Sequence, residues 1–389
     1  MRPLAASFIL AVALAGAARA AEPYDIHAII ALTGNGAFLG QQEEQAMRLV
    51  EKAANATGGI AGRPVHFIFH DDQTTPQLSV QLAGEVLGEK PTVIFGSSLV
   101  ATCRAMAPLM GDGPVMYCLS PGIDPPKGSY VFTTNVATRD LIAAQLRYFR
   151  LKGWRRFAVI TSTDATGQEA DQGIDAFLAA KENADITVVE RSKFNPTDVS
   201  VAAQMERIKA ARPQALIAWS TGAQIATIFR GVIQAGLDLP MCVSNGNMTY
   251  AQMTQYSGFL PRQVYMPSSL WPAGADPRVP VDAGVAAKQK EFYATYAAAG
   301  LKPDNASALG WDPASIVIDA LRKIGPGAGA AQLRDYLVAL KRAPGVHGSY
   351  DYTASPQRGL NAMDALVTLW RPDEKLWQVM SKPGGAPLD

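Results

Sequence analysis

Residues Gly96–Pro126 read GSSLVATCRAMAPLMGDGPVMYCLSPGIDPP, a pattern of strand, turn, helix, strand and turn. Two apolar segments, Thr92–Phe95 and Val115–Leu119, each run into a turn of small residues. In an open α/β sheet, ligands bind beyond the carboxyl ends of the strands. Small residues at the start of a helix expose backbone N–H groups that favour an anion. The stretch therefore predicts a site that holds a small carboxylate or phosphate, and it contains no nucleophile backed by a base.

The same alternation of strands and helices continues on both sides of this stretch. Ile26–Leu32 is a largely apolar run without alternation, typical of a strand buried on both faces of a parallel sheet. The alternation restarts after a helix at Arg139–Leu151, and two later strands end in Trp219-Ser220-Thr221 and Ser244-Asn245-Gly246-Asn247. This order predicts an α/β protein with two doubly wound lobes whose strand ends face one cleft.

Two features near the C-terminus complete the expected fold. Pro313 is expected at the first position of a helix, Pro313–Ile324, where its missing N–H does no harm. Ala362–Trp370 and Leu376–Met380 are expected to pair as a final hairpin.

Composition limits the classes of partner. The chain has 389 residues, of which 48% are hydrophobic, and its formal net charge is +1. Because this length exceeds what one small core needs, two domains are expected. A nearly neutral chain lacks the concentrated basic face that nucleic acids and anionic membranes require, so neither is an expected partner.

The N-terminus has the pattern of a secretory signal peptide. Arg2 precedes the apolar run Leu4–Ala17, and Ala18-Arg19-Ala20 supplies the small residues that a signal peptidase reads. The apolar run is too short to serve as a membrane anchor. We therefore expect cleavage after about Ala20 and export of the mature protein.

The three cysteines, Cys103, Cys118 and Cys242, leave at least one thiol unpaired within the chain. Buried free thiols are the favoured interpretation, and a Cys103–Cys118 disulfide in an oxidising compartment is the alternative. No histidine or second cysteine stands at zinc-ligand spacing from them. Neither a metal nor another cofactor is expected.

Three motifs suggest other functions. The glycines of Gly34–Gly40 follow a strand and open a helix, but the last one falls one place late for a dinucleotide fingerprint, so a tight turn is expected. His66 and His70 lie on a strand, where four residues span roughly 13 Å, too far for one zinc ion. A hydrolase that uses Ser98 and His70 stays open as an alternative, because both would lie at the same sheet edge.

Several segments form an ordered set along the chain. They are Leu32-Thr33-Gly34, the run EKAANATGGIAGRPV at Glu51–Val65, Asp71-Asp72 with Pro76, Gly96 with Ala105 and Pro108, Ser120-Pro121-Gly122, Gly310-Trp311-Asp312 and Ala362–Trp370. Together they resemble the periplasmic solute-binding proteins of branched-chain amino acid ABC transporters. The likeness covers essentially the whole mature chain.

The resemblance implies the type I periplasmic binding protein fold, in which two doubly wound α/β lobes, joined by three crossovers, close on a ligand by hinge motion. It also implies that the first helix ends just before Thr57-Gly58-Gly59. The crossovers are expected near Val136–Arg139, Val264–Ser268 and Ser355–Gly359. The expected division is 1–20 as signal peptide, 21–138 with 266–358 as the first lobe, and 139–265 with 359–389 as the second.

The family also implies a set of ligand contacts. Members that bind amino acids hold the α-carboxylate with a serine or threonine and backbone amides of the first lobe, and they meet the α-ammonium with an acid of the second. This places the carboxylate turn at Ser98, Leu99 and Val100, with Val100 where a hydroxyl is usual. The second-lobe acid would lie near Asn247, where the sequence has none. The other expected contacts are Phe38, Leu39, Ser120, Gly122, Ile123, Asp124, Thr166 and Trp219.

The missing acid decides the expected ligand. A buried ammonium without a carboxylate partner is unfavourable by several kcal/mol, so a carboxylate without an amine is favoured. Trp219, Phe38 and the small Thr166 leave room for an aromatic acid or an aryl keto acid. A branched-chain or other amino acid, with Asp124 as the ammonium partner, is the alternative.

The resemblance implies a periplasmic, monomeric binding protein rather than an enzyme. Its partners would be the small carboxylate and the ABC permease subunits of the inner membrane. A ligand-sensing module with the same fold is a further alternative.

Overall fold

The computed structural model describes residues 21–388, so the expected signal peptide lies outside the described residues. The first third of the chain builds a five-stranded sheet in the order β2-β1-β3-β4-β5, and all its pairs are parallel. Its elements are β1 (Tyr24–Ile30), α1 (Ala37–Ala56), β2 (Val65–Asp71), α2 (Pro76–Gly88), β3 (Val93–Gly96), α3 (Val100–Met106), β4 (Val115–Cys118) and β5 (Val131–Thr133).

Helix α1 ends where the sequence predicts. Gly58 and Gly59 both have positive φ, at 92° and 61°, and the Gly59 N–H donates to the Ala54 carbonyl at 2.9 Å. Glycine adopts this left-handed conformation without a steric penalty. The chain can therefore turn sharply into β2, which pairs with β1 in parallel register.

The second unit continues the alternation. Its elements are α4 (Thr138–Leu151), β6 (Arg156–Ser162), α5 (Ala165–Ala179), β7 (Thr187–Phe194), α6 (Ala202–Ala211), β8 (Ala215–Trp219), α7 (Ile225–Gln234), β9 (Met241–Val243), α8 (Tyr250–Gln255) and β10 (Val264–Ser268). The chain then returns to the first unit through α9 (Ala283–Ala298), α10 (Asn305–Ile324), α11 (Ala330–Ala339), β11 (Ala343–Pro344) and β12 (Ser349–Tyr350). It finishes in the second unit with β13 (Leu366–Arg371) and β14 (Leu376–Val379).

The seven-stranded sheet of the second unit has the order β14-β13-β10-β9-β8-β6-β7. The chain passes between the units after β5, after β10 and before β13. These three connections and the two doubly wound sheets confirm the predicted fold class. β10 belongs to the second sheet, because it pairs with β9 and β13. The second connection therefore begins after β10.

Two expectations near the C-terminus need correction. Pro313 lies inside α10, which begins eight residues earlier at a capping box between Asp304 and Ser307. Burial of the whole helix against α1 outweighs the one hydrogen bond that Pro313 lacks. The hairpin of β13 and β14 is confirmed, but Ala362–Asp364 forms a single helical turn before it, because the Asn361 side chain caps that turn.

The favoured interpretation of the cysteines, buried free thiols, was wrong for Cys103 and Cys118, and the alternative disulfide is confirmed. Cys103 on α3 and Cys118 at the end of β4 form a disulfide, with Cα atoms 6.0 Å apart, whereas Cys242 is buried and free. The pair is possible because α3 folds back over β3 and β4. Gly96, at the end of β3, leaves space beside the Cys103 sulfur. Sequence separation alone did not reveal this approach.

Candidate functional site

The carboxyl ends of parallel strands from both sheets open onto one cavity between the two units. Its cavity volume is about 20 Å³, room for about one water molecule, within about 410 Å³ of space between atoms that includes open solvent. The first unit contributes Leu39, Ser98, Val100, Pro121, Asn305 and Leu309 to its lining. The second unit contributes Thr138, Thr166, Trp219, Thr221, Ser244, Asn245 and Gly246.

The two units touch each other beside this cavity. The Asn305 Nδ2 group, at the start of α10, donates to the Asn245 carbonyl of the second unit at 3.1 Å. The Ala223 N–H donates to the Asn35 carbonyl of the first unit, also at 3.1 Å. These contacts bring the lobes together, so a ligand in the cavity would be held from both sides.

Two further contacts join the units at the rim. The Phe38 ring packs edge-on against Tyr256, with centroids 6.1 Å apart, and Arg104 forms an ion pair with Glu169. Phe38, expected as a ligand contact, is therefore placed at the rim rather than in the cavity lining. Its neighbour Leu39 does line the cavity.

The predicted carboxylate turn lies at the cavity. Ser98 is buried and faces the cavity, and Val100 is the first residue of α3. The turn is fixed by a hydrogen bond from the Leu99 N–H to the Ser97 hydroxyl at 3.3 Å. The Leu99 side chain packs beneath it against Leu39. Because the first N–H groups of a helix have no partner within the helix, this turn offers one hydroxyl and free amides to an anion.

The second predicted turn supports the cavity from behind. The Ser120 hydroxyl accepts from the Gly122 N–H at 3.3 Å, and the Ile123 carbonyl accepts from the buried Arg358 guanidinium. Ile123 packs into a core cluster of the first unit, and Pro121 lines the cavity, whereas Ser120, Gly122 and Ile123 do not.

Asp124 points away from the cavity. Its carboxylate accepts hydrogen bonds from Arg139 at 2.7 Å and from Arg358 at 3.1 Å. Partial burial alone would raise the pKa of Asp124, but the two guanidinium groups outweigh burial and hold the pKa below its usual value. Asp124 thus forms an ion-pair cluster beside the first and third connections between the units.

Trp219 and Thr166 face the cavity from the second unit. Trp219 closes β8 and is only 2% exposed, so its ring forms a wall that packing holds in place. Thr166 lies in the first turn of α5, whose N-cap, Asp164, accepts from the Gly167 N–H at 3.0 Å. The small Thr166 side chain and the fixed indole thus belong to the same cavity wall.

Asn247 supports the second-unit loop instead of lining the cavity. Its Nδ2 group donates to the Ser220 carbonyl at 2.7 Å, and its Oδ1 accepts from the Gly222 N–H at 3.3 Å. With its amide used in this way, Asn247 holds Asn245 and Gly246 at the cavity surface.

The cavity lining combines apolar side chains with uncharged polar groups. Its polar groups are hydroxyls and amides, and none of the lining residues is Asp, Glu, His, Lys or Arg. Thr221 and Ser244 already share a hydrogen bond of 2.7 Å. Such a lining can hold a carboxylate through hydrogen bonds, but it presents no acid to an ammonium group.

The lining includes residues that sequence reasoning missed. Asn305 and Leu309 come from α10 and lie one helical turn apart, on the face that meets α1. Thr138 begins α4 directly after the first connection. Nothing local marks these positions, because they reach the cavity only through packing of elements that are distant in sequence.

The structure does not support the hydrolase alternative, in which His70 would act as the base for Ser98. The His70 ring stacks on His27, and a nitrogen of each ring lies 3.1 Å from the other. Ser98 instead has Glu43 as its titratable neighbour. Within residues 21–388, no group of three or more His, Cys, Asp and Glu side chains is placed to hold a metal ion.

A family model described as periplasmic binding protein matches residues 23–371. The chain belongs to the periplasmic binding protein family. This membership confirms the resemblance inferred from the motifs and the expectation of a binding protein rather than an enzyme. No curated protein sequence matches the chain significantly.

Solved structures show the same fold for this periplasmic binding protein. An extracellular ligand-binding receptor from Rhodopseudomonas palustris HaA2 matches with a TM-score of 0.80 at 20% identity, over 92% of this chain and 99% of its own. The branched-chain amino acid transporter substrate binding protein LivJ from Streptococcus pneumoniae, in complex with isoleucine, matches at 0.76 and 16%, over 92% and 99%. An ABC transporter solute binding protein from R. palustris, in complex with benzoate, matches at 0.72 and 17%, over 94% and 97%.

Among the described residues, none of the helices has both the length and the apolar character needed to cross a membrane.

Proposed function

We propose that this periplasmic binding protein captures a small carboxylate, preferably an aromatic acid or an aryl keto acid, and delivers it to an ABC importer. The observation that carries the proposal is the composition of the cavity lining, which joins a serine turn and a fixed tryptophan without any acidic side chain. Capture would close the lobes, and the closed form would dock on permease subunits. Export through the expected signal peptide and a monomeric state belong to the same proposal.

The carboxylate end of the ligand fits the first unit. Ser98 faces the cavity beside the start of α3. A carboxylate there would accept from the Ser98 hydroxyl and the Val100 amide, and hydrogen bonds to a charged group contribute about 1.5–3 kcal/mol each. The apolar end would lie against Trp219, Leu39 and Leu309.

The uncharged second-unit surface favours an acid without an amine. The residues nearest the expected acid, Asn245 and Gly246, carry no charge, and Asp124 is paired with two arginines. The benzoate complex of the R. palustris relative supports an aromatic acid, and the isoleucine complex of LivJ keeps an amino acid as the second candidate. A sensory role is distinguished from transport by whether permease and ATPase genes are neighbours of this one.

A thermal-shift screen of the ligand-stripped mature protein tests the ligand class. Benzoate, cinnamate and phenylpyruvate are compared with leucine and isoleucine. A ligand at 100 times its dissociation constant adds about 2.7 kcal/mol of apparent stability. We expect the aromatic acids to raise the melting temperature and leucine to leave it unchanged. The reverse order would refute the proposed class.

Ser98→Ala tests the carboxylate turn. Loss of one hydrogen bond to a charged group should weaken binding of the best aromatic acid by roughly 10- to 150-fold. Calorimetric titration measures the change, with Ser129→Ala as the matched control, since the Ser129 hydroxyl bonds to the Val131 carbonyl outside the cavity. Equal affinities in the two variants would place the carboxylate elsewhere.

Asp124→Asn separates the two ligand classes. Because the Asp124 side chain is 59% exposed and paired with Arg139 and Arg358, we expect the affinity for an aromatic acid to change by less than about threefold. If Asp124 is the partner of an ammonium group, any binding of leucine disappears in the variant. Titration of both ligands distinguishes these results.

A further inference from the structure

Glu43 places a carboxyl group in the core directly behind the cavity. It lies on α1, one turn after the cavity-lining Leu39, and its side chain is fully buried. Neither carboxyl oxygen of Glu43 makes a hydrogen bond to any described residue. Buried polar atoms are nearly always hydrogen-bonded, so an unpartnered carboxyl beside a binding cavity calls for a functional explanation.

Three elements present groups to Glu43. Ser98 faces it from the turn before α3, Asp72 from the end of β2, and Asp304 from the N-cap of α10. Asp72 accepts from the Thr74 N–H at 2.8 Å, and Asp304 accepts from the Ser307 N–H at 3.1 Å. The titratable groups that face Glu43 are thus both acids, and an ionised Glu43 would meet like charges.

These surroundings keep Glu43 protonated at neutral pH. Burial is the main reason that the pKa of Glu43 rises to about 8; Ser98 opposes the rise, and Asp72 and Asp304 add to it. Burial also raises the pKa of Asp304 to about 6 and raises that of Asp72. Glu43 therefore titrates near pH 8 and Asp304 near pH 6.

We propose that Glu43 is a positioning residue that stays protonated beneath Ser98 and donates to the Ser98 hydroxyl, so that Ser98 directs its own proton to the bound carboxylate. The inference rests on the proposed function. A serine hydroxyl is both donor and acceptor, and Ser98 faces Glu43 on one side and the cavity on the other. This hydrogen bond is not formed in the structure, so it must form when the carboxylate binds.

The proposal makes binding depend on pH with a definite sign. An ionised Glu43 cannot donate to Ser98, and its charge repels the ligand carboxylate. As the pH rises through about 8, the dissociation constant should therefore increase. For one linked proton, the increase between about pH 7 and about pH 9 is up to about tenfold.

Folding stability gives a readout that needs no ligand. The pKa of Glu43 is higher in the folded protein than the ordinary value of 4.5, so folding favours the protonated form. The wild type should be most stable relative to Glu43→Gln below about pH 4.5 and should lose that advantage as the pH rises towards about 8. Glutamine is neutral at every pH and has nearly the same shape.

The experiment uses the mature wild type, Glu43→Gln and Glu44→Gln. Glu44 is the matched control, because it is adjacent on α1 and forms an ion pair with Arg48 at 2.6 Å. Benzoate, which stays ionised throughout, is titrated into each protein from about pH 6.5 to about pH 9.5, and ligand-free melting curves are recorded in parallel. We expect the dissociation constant to rise with pH in the wild type and in Glu44→Gln, and to stay constant in Glu43→Gln.

Each other result overturns the proposal in a distinguishable way. A melting-temperature difference between wild type and Glu43→Gln that is independent of pH would mean that Glu43 is not held neutral, whether or not a ligand binds. A difference that varies with pH, together with identical benzoate profiles, would leave Glu43 neutral but remove its role towards Ser98. A wild type that binds none of benzoate, cinnamate and phenylpyruvate would refute the proposed function together with the positioning role.

Discussion

Gly40→Ala is expected to lower the free energy of unfolding by about 3 kcal/mol or more. Gly40 lies in the first turn of α1, where the helix crosses the end of β1. A Cβ atom at this position would come closer than 3.0 Å to the carbonyl oxygen and the carbonyl carbon of Ala31, both of them backbone atoms. Because backbone cannot rotate aside as a side chain does, the helix itself must move. Leu39 would move with it, so ligand affinity should fall as well.

Urea unfolding followed by circular dichroism measures this loss. Gly84→Ala is the matched control, since Gly84 lies within α2 and a Cβ atom added there would have open space for 4 Å around it. Alanine there should stabilise the helix by about 0.5–1 kcal/mol. If both variants shift the unfolding midpoint by similar amounts in the same direction, close packing of α1 on β1 is not what requires glycine at position 40.

Asp312→Ala is expected to lower the free energy of unfolding by about 2–5 kcal/mol. Asp312 is a buried residue of α10. Its carboxylate accepts from the Val346 N–H at 2.7 Å, the His347 N–H at 2.9 Å and the Tyr350 hydroxyl at 2.8 Å. Tyr350 keeps a second acceptor, the Thr134 carbonyl at 2.9 Å, so the main effect is two buried amides without a partner.

Asp319→Ala on the same helix is the control, because the Asp319 side chain is 62% exposed and pairs with Arg322 at 3.6 Å. A surface pair of this kind contributes about 1 kcal/mol at most. Equal destabilisation of the two variants would show that loss of any aspartate from α10, and not the buried network, accounts for the effect. Since Thr134 belongs to the first connection between the units, Asp312→Ala should also alter lobe closure, which small-angle scattering would detect.

The rule that ligands bind beyond the carboxyl ends of strands predicted some of the cavity-lining residues but not the directions of all their neighbours. Ser98, Val100 and Trp219 lie at the cavity, because the carboxyl ends of parallel strands meet at one sheet edge whatever the details of packing. Asp124 and Asn247 also follow strand ends, β4 and β9, but Asp124 pairs with two arginines and Asn247 bonds to the Ser220 carbonyl. The position of a residue in a turn does not fix the direction of its side chain, which depends on the partners that surround it.

Local sequence determined the alternation of strands and helices, the glycine stop after α1, the two-lobed plan and the location of the turns that line the cavity. These features depend on hydrophobic periodicity and on the backbone preferences of neighbouring residues, which a sequence displays directly. The tertiary structure alone decided the Cys103–Cys118 disulfide, the start of α10 before Pro313 and the placement of Glu43 behind Ser98. Each of these depends on how helices pack across the sheets, since packing brings together residues that lie far apart in the chain and sets the burial that governs their charge.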